Sequence, residues 1–269
     1  AYYGLSPGLD FETKLFQKPD APALLDRELR RTRYRPAVIA LGANTDPYQP
    51  IERGLKLTRR ILQVLADFNH PVAIITKSPL VTRDIDILAP MAARQLAMVT
   101  LSITTLDRSL ARRMEPRAAT PAKRLDAIRT LSAAGIPVSV LAAPMIPALN
   151  DAELEAILAA AAKAGACSAG YTLLRLPLEI RDLFVEWLAA NYPERASHVM
   201  SLVRATRGGA DYDSRWGLRR TGTGVYADLL AARFRLARRK SGLDKRSLDL
   251  DTSRFCPPPM KGDQLTLFG

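Results

Sequence analysis

Ala37-Val38-Ile39-Ala40-Leu41-Gly42 decides the fold. Six consecutive small or aliphatic residues read as a strand covered on both faces, the pattern of a parallel sheet. Working outward from this run, the same unit recurs. A helix is predicted over 51–67, with Ile51, Leu55, Thr58, Ile61, Leu62 and Leu65 on one face. A second strand over 72–77 is followed by a helix over 84–95, and a third strand covers 98–104. Thr120 as N-cap and Pro121 at the first helical position open a helix that ends at Gly135. The fourth strand is 138–143. Asn150 or Asp151 caps a helix ending near Gly165, and the fifth strand is 168–176. Strict alternation of strand and helix implies a parallel sheet with right-handed crossovers. Five strands do not close an eight-stranded barrel; they suit an open or partial barrel, or a doubly wound sheet. No Gly-x-Gly-x-x-Gly follows any strand, which weighs against a dinucleotide-binding fold.

After Pro177 the pattern is helical only, over 180–191, 194–206 and 224–240. The chain therefore divides into an α/β domain over 1–178, a basic helical cap over 179–246 and a Pro-rich, flexible tail over 247–269. No window approaches the roughly 18 uninterrupted apolar residues of a membrane span, and the start, Ala1-Tyr2-Tyr3-Gly4, lacks the features of a signal peptide. The two cysteines, Cys167 and Cys256, suggest no disulfide framework and fit a reducing cytoplasm. With only His70 and His198 beside them, the chain cannot build a cysteine–histidine metal site by itself. The net charge is +12, and residues 204–246 hold twelve Lys or Arg against four Asp, so two thirds of the excess lies there. Such a stretch is either a solvated helix face or a surface for a phosphate backbone.

In parallel α/β folds ligands sit at the C-terminal ends of the strands. Those ends carry Asn44-Thr45-Asp46-Pro47, Thr76-Lys77-Ser78, Ser102-Ile103-Thr104-Thr105 with Glu115 beyond, Ala143-Pro144, and Leu174-Arg175. Hydroxyls, one Lys and one Arg around a mouth suit a polar, anionic ligand. Each residue also has a structural reading. Thr45 or Asp46 ahead of Pro47 is a helix-start signal, Lys77 is a solvated strand end, and Glu115 pairs with an Arg of the next helix.

The strings Ala40-Leu41-Gly42-Ala43-Asn44-Thr45-Asp46-Pro47-Tyr48-Gln49-Pro50, Ile75-Thr76-Lys77-Ser78, Leu101-Ser102-Ile103-Thr104-Thr105, Met114-Glu115-Pro116-Arg117 and Ala143-Pro144 resemble the bacterial radical S-adenosylmethionine proteins related to spore photoproduct lyase. The resemblance spans about residues 1–240. It implies a partial (β/α)6 barrel lacking its first strand here, with a C-terminal helical cap. It further implies a 4Fe-4S cluster on a Cys-x-x-x-Cys-x-x-Cys loop, S-adenosylmethionine on the open iron, and an electron donor as partner. Thr45 takes the place of a serine at the methionyl amino group, Lys77 that of a lysine at the carboxylate, and Ser102 that of a residue near the ribose. Asn44, Asp46, Thr104 and Glu115 complete the polar mouth. The three-cysteine loop does not occur in this sequence. The resemblance places it, with the first strand, upstream of Ala1, so the chain by itself is expected to be inactive.

Near the C-terminus, Gln264-Leu265-Thr266-Leu267-Phe268 resembles the peptide by which bacterial repair proteins dock on the DNA sliding clamp. Leu265, Leu267 and Phe268 are its apolar anchors and Gln264 its polar one. With Arg215, Arg219, Arg220, Arg235 and Arg239 as phosphate contacts, the leading reading is a radical enzyme acting on DNA. Tyr171, Tyr212 and Tyr226 are candidates for radical relay or base stacking, with ordinary packing the competing reading. The alternatives are the same chemistry on a protein or small molecule, and a non-catalytic adaptor for DNA and the clamp. A hydrolase is disfavoured, because no nucleophile–base pair or paired carboxylates stand out.

Overall fold

A computed structural model of the protein describes residues 14–244 and 249–259. A first helix, α1 (Ala21–Leu29), precedes the sheet. The strands are β1 (Ile39–Leu41), β2 (Val72–Thr76), β3 (Ala97–Ile103), β4 (Val138–Met145) and β5 (Ser168–Leu173). All neighbours pair in parallel, in the order β1-β2-β3-β4-β5. A sequential order has no reversal point, so it excludes the doubly wound alternative and leaves the open, partial barrel.

Helices connect the strands, and the longer ones cover one face of this sheet. The connecting helices are α2 (Glu52–Leu55), α3 (Leu57–Asp67), α4 (Ile85–Ala93), α5 (Arg108–Met114), α6 (Pro121–Ala133) and α7 (Leu154–Lys163). Strand residues Val72, Ile74, Val99, Leu101, Ile103, Val138 and Val140 are fully buried against Leu62, Leu65, Leu88, Met91, Ile128, Leu131, Ile157 and Leu158. Their in-between neighbours on the other face, Ala73, Ile75, Met98, Thr100 and Leu141, are only partly covered. That alternation places the partly open concave face opposite the helices.

The helix predicted over 51–67 is broken at Lys56, whose φ of 50° is left-handed. The cause is Glu52. Its carboxylate accepts from Leu57 N at 2.9 Å and Thr58 N at 3.1 Å, starting a second helix where periodicity reads one. Thr120 caps α6 as expected, its Oγ1 accepting from Lys123 N at 3.4 Å. Neither Asn150 nor Asp151 makes a side-chain cap. Asn150 instead fixes the turn after β4, its Oδ1 accepting from Ile146 N at 2.7 Å and its Nδ2 donating to Thr104 O at 2.7 Å.

Beyond β5 come α8 (Ile180–Asn191), α9 (Pro193–Ala205), α10 (Leu218–Thr221) and α11 (Val225–Lys240). Helices α8 and α9 cap one end of the sheet through a second core of Ile146, Leu176, Leu188, Val199, Met200 and Val203. Helix α11 instead returns along α7 and β5, where Phe234 packs on Tyr171 at 4.7 Å between centroids. No described helix is long and apolar enough to cross a membrane.

Residues 249–259, part of the stretch read from sequence as a flexible tail, lie along the N-terminal edges of the strands. Asp251 N donates to Gln95 O at 2.9 Å, Cys256 N to Phe68 O at 3.0 Å, and Arg30 Nη1 to Pro258 O at 2.8 Å. Phe255 seats its ring among Tyr34, Phe68 and His70 at 5.4, 6.3 and 5.5 Å. One aromatic with a prepared slot, in a segment whose prolines restrict the unfolded chain, is enough to order it.

Candidate active site at the strand ends

The loop after β1 reaches across β2. Gly42 makes this possible: its φ is +97°, and a Cβ there would lie 2.0 Å from Ile75 O. Asp46 then fastens the loop. Its Oδ1 accepts from Tyr48 N at 2.9 Å and Thr76 Oγ1 at 2.6 Å, and its Oδ2 from Lys77 N at 2.8 Å. Both oxygens of Asp46 are thus engaged within the protein, as a crosslink between the β1 loop and β2. Asn44 and Thr45 sit exposed on the same loop. Behind it Tyr48 is buried and donates to Asp84 at 3.0 Å, and Asp84 also accepts from Arg59 and Arg83.

Lys77, Thr104 and Glu115 are brought together. Glu115 Oε1 accepts from Lys77 Nζ, and from Thr104 Oγ1 at 3.1 Å; its Oε2 accepts from Arg124 Nη2 at 2.6 Å. Arg124 is 2% exposed and also donates to Ser102 O and Ala119 O. Burial acts to raise the Glu115 pKa, but Lys77 and Arg124 outweigh it and hold the carboxyl below its ordinary range. Ser102 and Thr104 are buried; the Ser102 hydroxyl donates to Ala143 O at 3.2 Å, and the single Thr104 hydroxyl proton is shared between Glu115 Oε1 and Ala143 O, the latter at 3.0 Å. The mouth is therefore a layered polar site, with Asn44, Thr45 and Lys77 reaching solvent and the others beneath.

The five arginines read as phosphate contacts do not form one patch. Arg215 precedes α10 and Arg219 and Arg220 lie within it; this helix lies against the end of β5: a Cβ at Gly222 would touch Leu173, and Arg207 donates to Leu218 O. Arg235 and Arg239 are exposed further along α11, about 15–20 Å from its start at 1.5 Å per residue. Tyr171 faces α11, Tyr226 donates to Asp151, and Tyr212 accepts from Arg175 Nη2 at 3.4 Å. Sequence reasoning missed Trp216, which is 82% exposed with the Arg219 guanidinium 4.1 Å from its ring centroid. Its only signal was an indole between glycines and arginines. Gln264, Leu265, Leu267 and Phe268 lie outside the described residues.

The profile of the Radical SAM superfamily matches residues 16–161. The chain belongs to this superfamily. An uncharacterized protein of Mycobacterium tuberculosis is 37% identical over 205 residues, covering 76% of this chain and 60% of that protein. Another from Methanocaldococcus jannaschii is 33% identical over 126 residues, 47% of each. The chain thus spans about 60% of the length of its mycobacterial relatives. Among solved structures, spore photoproduct lyase complexed with dinucleoside spore photoproduct superposes with a TM-score of 0.58 at 16% identity, covering 82% of this chain and 63% of that one. A variant of the lyase with bound AdoMet and the same dinucleoside gives 0.52 at 18% identity, covering 82% and 62%. The open parallel α/β fold of the radical SAM kind that the resemblance implied is the fold observed.

Membership implies S-adenosylmethionine and a 4Fe-4S cluster. The polar mouth fits the first: Lys77 offers an ammonium for a carboxylate, and Thr45 and Asn44 offer uncommitted polar groups beside it. The cysteines do not fit the second. Cys167 precedes β5 and Cys256 docks at Phe68, both on the edge of the sheet opposite the mouth. No described group of three or more His, Cys, Asp or Glu is placed to hold a metal ion. Cluster thiolates, which number three in this family's loop, have no counterpart in this chain's two cysteines.

Proposed function

We propose that the protein serves S-adenosylmethionine radical chemistry on nucleic acid, in repair or modification of a base. The chemistry S-adenosylmethionine supplies in this family is a 5′-deoxyadenosyl radical, for hydrogen abstraction from a substrate. Lys77 holds the cofactor carboxylate, Glu115 orients Lys77, and Arg124 keeps Glu115 ionised. Ser102 and Thr104 fix the floor against Ala143.

The observation that carries the substrate class is Trp216. An indole this exposed, stacked with Arg219 and flanked by Arg215 and Arg220 beside the end of β5, suits an unstacked base with phosphates around it. The fold shared with a lyase solved with a dinucleoside lesion supports the same reading. We carry Gln264, Leu265, Leu267 and Phe268 as a sliding-clamp peptide, supported by their pattern alone.

Oligonucleotide binding measured against salt tests this. Affinity that falls steeply with rising salt, and falls further in Trp216→Ala, supports nucleic acid as substrate. Salt-independent or absent binding removes nucleic acid and leaves a protein or small-molecule substrate.

A further inference from the structure

Strand β5 ends at Leu173, and two residues later stands Arg175. Its one hydrogen bond among the described residues is to Tyr212 Oη at 3.4 Å, and its Nε is buried without a partner. Arg207, 4% exposed, donates to Leu174 O at 2.7 Å and Leu218 O at 2.9 Å, and its Nε is likewise buried and unpartnered. Neither guanidinium has a carboxylate partner among the described residues. The acids of this stretch, Asp211 and Asp213, pair instead with Arg181, Arg204 and Arg215. Burial chiefly, and the Arg175 charge as well, lower the Arg207 pKa, with Asp213 opposing.

Two neighbouring cations with no carboxylate in direct contact, Asp213 acting on Arg207 only through space, are incompletely balanced and costly in an empty site. At the ligand end of a parallel sheet, the same pair is a receptor for an oxyanion, which guanidinium forks bind well. Lys77 lies three strands away, on the order of 14 Å at 4.8 Å per strand, and is already balanced by Glu115. The two cationic poles therefore serve different groups.

We propose that Arg175, oriented by Tyr212 and backed by the buried Arg207, binds a phosphodiester group of the substrate. This rests on the nucleic-acid reading above and assigns one of its contacts. Arg207 is a positioning residue: through Leu174 O and Leu218 O it ties the end of β5 to α10, and so Arg175 to the Trp216 segment.

The test uses the 269-residue protein, a fluorescent single-stranded decathymidylate, and the variants Arg175→Gln and Arg175→Lys. In Arg175→Gln, affinity at low salt falls about tenfold, the lower end for one hydrogen bond to a charged group. The slope of log affinity against log salt shrinks by about 0.7. Arg175→Lys keeps the slope and loses part of the affinity. Wild-type binding with both variants unchanged overturns the subsite and leaves the nucleic-acid reading standing. If the wild type binds no oligonucleotide, that reading fails. The side-chain Nε–H resonances of Arg175 and Arg207 then decide the subsite in a titration with inorganic phosphate. Shifts that vanish in Arg175→Gln retain an anion site there, and no shift overturns it.

Discussion

Lys77 and Glu115 form an ion pair between the end of β2 and the turn after α5, and Glu115 holds buried Arg124 with its second oxygen. In its proposed role, Lys77 would meet the cofactor carboxylate already oriented, its charge shared. Lys77→Ala removes a charge-assisted contact and is expected to weaken S-adenosylmethionine binding by about 10- to 100-fold. Calorimetry on the purified protein checks this, and the melting temperature should fall less than in Glu115→Gln because Glu115 keeps Arg124.

Glu115→Gln acts differently. It leaves Arg124, 2% exposed, without its carboxylate, and breaking a buried pair from one side costs about 3 kcal/mol. Denaturant unfolding at neutral pH measures the loss. The Glu115 pKa is depressed on folding, so this stabilisation is present above the unfolded carboxylate value and is lost as pH falls through the folded one. The gap between wild type and variant should therefore close on acidification below about pH 4.

His70 gives the opposite end of the sheet its own pH dependence. It is fully buried, with Nδ1 donating to Pro71 O at 3.0 Å and Nε2 accepting from Tyr34 Oη at 2.7 Å, the pattern of a neutral ring. Burial lowers its pKa, opposed by the Pro71 carbonyl. The unfolded chain then binds the extra proton first, so stability falls as pH drops below about 6.5 toward the folded value. Melting curves from pH 7.5 to 5.5 are expected to show this fall, and His70→Gln to flatten it.

Trp216→Ala should weaken single-stranded DNA binding about 5- to 100-fold, the range for one stacked base. Because the indole is exposed, its removal should leave thermal stability where it was. A loss of folded protein instead would make Trp216 part of the packing.

Reconstitution of this 269-residue chain with iron and sulfide should yield no stable cluster absorbance. Its two cysteines are too few and sit at the wrong end of the sheet. A bleachable band on dithionite addition would contradict the placement of Cys167 and Cys256.

Much of the fold was legible because each strand is a short, largely apolar run, although β1, read as covered on both faces, is partly exposed at the sheet edge, and because Thr120-Pro121 announces α6 by local chemistry alone. The break at Lys56 was not, since it depends on where the Glu52 carboxylate points. Phe255 hid among polar residues and prolines, and its slot is built from residues 185 to 221 positions earlier. At the mouth, Lys77 and Glu115 were visible as polar strand-end residues, and a helical Arg as partner for Glu115 was one of the open readings. Asp46 looked like a ligand group because sequence does not reveal that Tyr48 N, Thr76 and Lys77 N occupy it. The arginines proposed as phosphate contacts looked continuous in sequence, but α11 runs back along the sheet and separates Arg235 and Arg239 from the rest.

The docking of residues 249–259 also sets an order of assembly during synthesis. Phe68, His70 and Gln95 leave the ribosome well before Asp251 and Phe255 exist, by on the order of ten to thirty seconds at usual elongation rates. For that interval the slot of Tyr34, Phe68 and His70 stands uncovered, first while the later strands are made and then on the finished sheet. The nascent chain therefore presents an aromatic patch to chaperones until its last stretch emerges, and a transcript truncated before Phe255 would yield a protein that never hides it.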